Sequence, residues 1–79
     1  MKYNEGDILK VGLTVIYRGS WGYDSPKYAV VTGIELCEQE HEKYGEQVDE
    51  VPASEVYRCC IDLNDGHWAY GYQVDKIVG

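Results

Sequence analysis

Turn chemistry punctuates this chain at short intervals, and the runs between the turns are β-like. Gly6-Asp7 and Gly12 frame a first short run, Ile8-Leu9-Lys10-Val11. Leu13 to Arg18 is rich in β-branched and aromatic residues and predicts a strand, with Val15 and Tyr17 on one face and Ile16 on the other. Gly19 to Pro26 holds two Gly, one Pro and three other turn formers, so it reads as a loop. Its Trp21 and Tyr23 are therefore loop residues, an unusual place for side chains whose only task is to fill a core. Tyr28 to Glu38 predicts a long strand, bulged or bent at Gly33 as barrel closure needs.

Residues 39–54 are polar and acidic. The turn Tyr44-Gly45-Glu46 predicts a protruding hairpin or an ordered loop there, and Gly45 and Pro52 limit any helix over 38–44. Glu55 to Leu63 predicts a strand with Tyr57, Cys59, Ile61 and Leu63 as its apolar face. Asn64-Asp65-Gly66 is a hairpin turn, and His67 to Tyr70 the returning strand. Gly71-Tyr72-Gln73 reads as a tight 3₁₀ turn before a last strand, Val74 to Val78. This order predicts an all-β protein. The expected architecture is a small five-stranded SH3-like barrel, one domain over residues 1–79, with a long aromatic first loop and an acidic insertion at about 38–54. An OB-fold is the alternative, but it uses more chain and a helix after the third strand.

Three stretches carry a resemblance. Val15-Ile16-Tyr17-Arg18-Gly19-Ser20-Trp21-Gly22, Gly33-Ile34-Glu35 and Leu63-Asn64-Asp65-Gly66-His67-Trp68-Ala69-Tyr70 together resemble small SH3-like proteins encoded in bacteriophage and prophage genomes. The likeness covers most of the chain outside the acidic segment. It implies the barrel and a bacterial host cytoplasm, and it assigns no functional residue.

A chain of 79 residues has a thin core, with little room for a deep, dry pocket that shifts a pKa. That weighs against an enzyme. No apolar run approaches the roughly 20 residues of a membrane span. The residues after Met1 lead into no hydrophobic signal segment, which favours the cytoplasm. Cys37, Cys59 and Cys60 are odd in number, and neighbouring Cys on a strand point to opposite faces, so all three are expected as reduced thiols.

The net charge of −7 is unevenly placed. Seven acids and only Lys43 lie between Glu35 and Glu50, so this segment carries −6 and the rest of the chain is nearly balanced. Phosphate backbones attract clustered Lys and Arg, which this chain lacks, so direct nucleic-acid binding is not expected.

Several constellations bear on chemistry. Cys37, His41, Cys59, Cys60 and His67 hold metal-ligating atoms, but their spacing does not supply a tetrahedral site locally, so no metal and no other cofactor is expected. Asp65 and His67 are close enough to hydrogen-bond, yet Ser20, Ser25 and Ser54 sit in ordinary loop sequence with no nucleophile elbow. Gly19-Ser20-Trp21-Gly22 lacks the Lys and the following helix of a phosphate-binding loop. The acids of 35–50 are too many and too exposed to be a tuned pair.

The aromatic set is the better signal. With eight Tyr, two Trp and no Phe, every aromatic ring except its own polar tip can pack. Tyr17, Trp21, Tyr23, Tyr28, Trp68, Tyr70 and Tyr72 come from the first loop, its flanks and the final hairpin. In an SH3-like barrel these meet on one side, so they form the candidate surface for a protein or peptide partner. Glu38, Glu40, Glu42, Glu46, Asp49 and Glu50 form a second, acidic surface, which keeps the chain soluble, steers a basic partner or mimics nucleic acid. The expected function is a non-catalytic protein-binding module. The alternatives are an acidic inhibitor of a nucleic-acid enzyme and a structural or assembly protein joined by strand edges.

Overall fold

The computed structural model of the protein describes residues 7–79. Among them the chain is all-β, with eight strands in antiparallel sheets rather than five. The strands are β1 (Ile8–Lys10), β2 (Thr14–Tyr17), β3 (Lys27–Leu36), β4 (Glu46–Val48), β5 (Glu50–Pro52), β6 (Cys59–Leu63), β7 (Trp68–Tyr70) and β8 (Val74–Ile77). The main sheet runs β7-β6-β3-β2-β8, with β4 added to β3, and β1 pairs β5 separately.

The alternation in β2 works as its sequence requires. Val15 and Tyr17 enter the core while Ile16 is only half-buried. β3 is long enough to serve three neighbours, β2, β6 and β4. Its first part pairs β2, with Val15 opposite Ala29, and its last part pairs β6, with Ile34 opposite Ile61. The register slips between Val31 and Gly33, so the bulge falls at the predicted glycine. A Cβ at Gly33 would come within 2.9 Å of the Asp62 carboxylate, an exposed side chain that would have to swing aside to admit it. Leu9, Val15, Ile34, Ile61, Ala69 and Val74 are all fully buried between these strands.

The acidic segment holds no α-helix; residues 37–45 form a loop that closes an antiparallel hairpin between β3 and β4. Its two short strands go to different sheets: β4 extends β3, with Ile34 opposite Val48, and β5 pairs β1, with Leu9 opposite Val51. Each brings one apolar residue inward, Val48 or Val51, and this anchors an otherwise solvated stretch. The strand expected from Glu55 begins only at Cys59. Ala53–Arg58 is a 3₁₀ segment that follows extended Pro52. Its tighter turn buries Val56 and turns Tyr57 out to solvent, so Tyr57 does not belong to the apolar face. Cys59, Ile61 and Leu63 do form that face, as expected, and Cys60 is buried on the other one.

β7 and β8 stand at opposite ends of the strand order and are joined by the 3₁₀ turn Gly71–Gln73. Buried Gln73 ties this turn down. Its Oε1 accepts from the Tyr70 amide at 2.9 Å, and its Nε2 donates to the Arg18 carbonyl at 2.9 Å. A Cβ on Gly71 would meet the Val56 carbonyl oxygen at 1.6 Å, so only glycine lets the turn lie against the preceding 3₁₀ segment. No helix among the described residues is long and apolar enough to cross a membrane.

Candidate aromatic binding face

Strand β7 sets up the face. Trp68 and Tyr70 are two residues apart and project to the same side, while Ala69 between them is buried. Their rings meet edge to face, with centroids 5.1 Å apart. The Gly71–Gln73 turn then returns Tyr72 to stack on Tyr70 at 6.3 Å and 16°. Trp21 arrives from the first loop, tilted against Tyr70 at 5.4 Å, and its carbonyl accepts the Tyr72 hydroxyl at 3.3 Å. Four of the seven residues expected at the partner surface, Trp21, Trp68, Tyr70 and Tyr72, thus form one cluster. Trp21 is 63% exposed and Trp68 40%. Ser20, Trp21, Trp68, Tyr70 and Gln73 line an open cleft of about 190 Å³.

The other three expected residues divide. Tyr17 is a correction: only 1% exposed, it is a core residue. It occupies the inward face of β2, and its hydroxyl is spent on Asp65 at 2.5 Å. Tyr23 is 91% exposed and close enough to Tyr72 to help raise that hydroxyl's pKa, after burial and Tyr70. Tyr28 is well exposed on β3 opposite Ile16 and makes no ring contact with the cluster.

Two residues of the acidic segment also join the face. His41 sits edge-on to Tyr70 at 5.5 Å and to Tyr72 at 5.2 Å. The Lys43 ammonium lies 4.3 Å from the centre of the Trp68 ring. Sequence reasoning took this stretch for its charge and missed both contacts. Of the acids expected beside it, Glu38, Glu40, Glu42, Glu46, Asp49 and Glu50 are all exposed, and Glu38, Glu42 and Glu46 line one hollow with Arg58. The first three flank His41 and Lys43 in the loop, while Glu46 and Glu50 lie on β4 and β5 in different sheets.

Backbone strain gathers at the same place. Ser20, Trp21 and His41 are the non-glycine residues with positive φ among those described, at 49°, 59° and 64°. Such residues cost of order 1–3 kcal/mol and concentrate at functional sites. Two line the cleft and the third packs on its rings. The loop that holds Trp21 is fastened by Asp24, whose carboxylate accepts the Ser20 hydroxyl at 3.1 Å, and by the Gly22 amide, which donates to the Gly19 carbonyl at 2.9 Å.

The remaining constellations have structural uses. Burial pushes the Cys59 thiol up to about 12 and the Cys60 thiol up to about 11, and it raises Cys37 as well. Such thiols stay protonated and are poor nucleophiles. His41 packs on the aromatic rings and His67 lies beside Asp65, and among the described residues no three acid, His or Cys side chains converge to hold a metal ion. Asp65 accepts from the Tyr17 hydroxyl at 2.5 Å and from the His67 backbone amide at 3.0 Å. The hydrogen bond from Tyr17 holds the Asp65 carboxyl below its ordinary range. Burial, reinforced by Asp65, raises the Tyr17 hydroxyl well above its own. A larger hollow of about 420 Å³ is bounded by Cys37, Glu42, Tyr44 and Arg58. Its one cation is engaged, since Arg58 pairs with Glu55 at 2.6 Å and donates to the Cys37 carbonyl at 2.9 Å.

No protein-family model, curated protein or solved structure matches the chain.

Proposed function

We propose that the chain is a non-catalytic protein-binding module of SH3-like layout, and that Trp21, Trp68, Tyr70 and Tyr72 are its contact surface. The observation that carries this reading is the exposed cluster itself. Four Tyr and Trp rings from two distant stretches of chain cluster instead of entering the core, three of them, Trp21, Trp68 and Tyr70, line a cleft, and the loop that brings Trp21 tolerates positive φ at two residues to do so. Tyr and Trp are the side chains most often found where partner binding concentrates its energy. The SH3-like layout is supported by the strand order: β2, β3, β6 and β7 follow as a meander, and β8 returns beside β2. A bacterial cytoplasmic setting follows from the resemblance to phage and prophage proteins.

The acidic surface takes a supporting part in this reading, because its exposed carboxylates spread over a loop and two sheets. It steers a basic partner toward the face. Capture from bacterial lysate tests the proposal, with the native chain, a Trp21→Ala/Trp68→Ala double variant and a chain with its acids from Glu38 to Glu50 changed to Gln or Asn. The expected result is a protein held by the native chain, held more weakly by the neutralised chain and lost by the double variant. Capture that ignores both tryptophans but needs the acids would instead favour the nucleic-acid-mimicking inhibitor. Self-association in sedimentation, with no captured protein, would favour an assembly role.

A further inference from the structure

The geometry points to an arginine side chain, presented by a basic polypeptide, as the occupant of the cleft between Trp21, Trp68 and Tyr70. This rests on the binding-module reading and names the chemistry of its ligand. Three observations carry it. First, the walls are ring surfaces, whose electron-rich faces attract cations. The polar side chains between them are already engaged: the Ser20 hydroxyl donates to Asp24, and the Gln73 amide bonds at both ends. The cleft thus offers flat aromatic faces and no cation of its own lining. Second, the chain itself places a cation on this cluster, the Lys43 ammonium at 4.3 Å from the Trp68 ring. Third, the field has the matching sign. His41 and Lys43 seat the loop of the acidic segment against the rings, on a chain of net charge −7, while Glu38 and Glu42 of the same loop line the hollow that holds Arg58. Acidic peptides and nucleic-acid backbones meet repulsion from such a chain.

A guanidinium fits these walls better than an ammonium. It is planar, stacks on aromatic faces and is more weakly hydrated, so less solvation is lost on entering a half-open cleft. Lys43 has a consequence of its own. A positive charge on the Trp68 ring lowers the draw of that ring on a second cation, so Lys43→Met is expected to tighten binding.

The test is a titration of the full chain, by tryptophan fluorescence and calorimetry, with a short peptide carrying one arginine among neutral residues. Matched peptides carry citrulline, lysine or glutamate at that position. Citrulline keeps the shape of arginine and removes only its charge, so this arm needs no protein variant. Arginine is expected to bind about tenfold or more tightly than citrulline, with lysine between them and glutamate not binding. Trp21→Ala, whose ring is largely exposed, is expected to weaken the arginine peptide by about five- to thirtyfold. Equal affinity for arginine and citrulline overturns the inference, as does retention of arginine binding in Trp21→Ala and Trp68→Ala. So does a single-stranded oligonucleotide that quenches the tryptophans and displaces the peptide. If arginine fails here while lysate capture still depends on the tryptophans, the arginine assignment falls and the module reading stands. If both fail, the module reading falls with it.

Discussion

Two aromatic regions of this protein use the same side chains in opposite ways. At the Tyr17 corner the ring is buried, the hydroxyl donates to Asp65, and Asp65 also accepts the His67 amide, so a hairpin turn is fastened to β2. At the Trp21–Tyr72 face the rings touch one another at the surface, border a cleft and sit beside strained backbone. The first arrangement stabilises the fold through burial and a hydrogen bond to a charged group. The second leaves apolar surface in water, which the fold alone does not require. The contrast teaches that aromatic content is a poor guide to a binding surface until burial and hydroxyl partners are known.

The contrast can be broken by substitution. Tyr17→Ala should cost about 3–5 kcal/mol, as for other large buried rings, and equilibrium unfolding in urea reads this directly. A loss near that for any single ring of the face would erase the distinction. Tyr17→Phe keeps the packing and removes only the bond to Asp65. It should cost about 1.5 kcal/mol, the low end for a hydrogen bond to a charged group, because Asp65 is exposed to solvent.

The pH dependence sharpens the same corner. The folded Asp65 carboxyl lies below its ordinary 3.8, so its contribution is full above that pH and is lost as pH falls through the folded value. The Tyr17 hydroxyl lies above its ordinary 10.0, so its contribution is full below pH 10.0 and is lost as pH rises further. Unfolding midpoints measured across pH should therefore fall at both extremes. Tyr17→Phe should flatten both limbs, and unchanged limbs would show that the pair does not couple to folding. The smallest effect belongs to the strained loop. Ser20→Gly removes a side chain from a positive-φ position at the loss of one exposed hydrogen bond, and a gain of up to about 1 kcal/mol is expected in the same unfolding assay. A clear loss of stability would mean that the loop is not strained.

Much of the architecture was legible in the sequence where the signals are local. The alternation of Val15 and Tyr17, the bulge at Gly33, the turn at Asn64-Asp65-Gly66 and the 3₁₀ turn at Gly71-Tyr72-Gln73 each depend on neighbouring residues, and each lies where it was expected. What depended on distant partners was hidden. Val51 pairs with Leu9 far back along the chain, and Val48 pairs with Ile34 across a long loop, so β4 and β5 left no pattern within their own short stretches. Pro52 opens a 3₁₀ segment that shifts Tyr57 out of the alternation expected of a strand. The site divides in the same way. Loop chemistry placed Trp21 at the surface, and strand alternation placed Trp68 with Tyr70. Burial of Tyr17 was the missed half of its own alternation, since the side it shares with Val15 is the core side. His41 and Lys43 could not be found, because the rings they reach lie in a separate, later stretch of the chain and no local pattern pairs the two.

The most direct test compares stability and binding in one pair of variants. Trp21→Ala/Trp68→Ala and Tyr17→Phe would be unfolded in urea and assayed for capture of the same partner. A binding face requires that the double variant loses capture at least tenfold while its stability changes by no more than about 1–2 kcal/mol, and that Tyr17→Phe loses stability and keeps capture. If the double variant unfolds far more easily and what remains folded still captures the partner, the rings are core and the binding surface lies elsewhere.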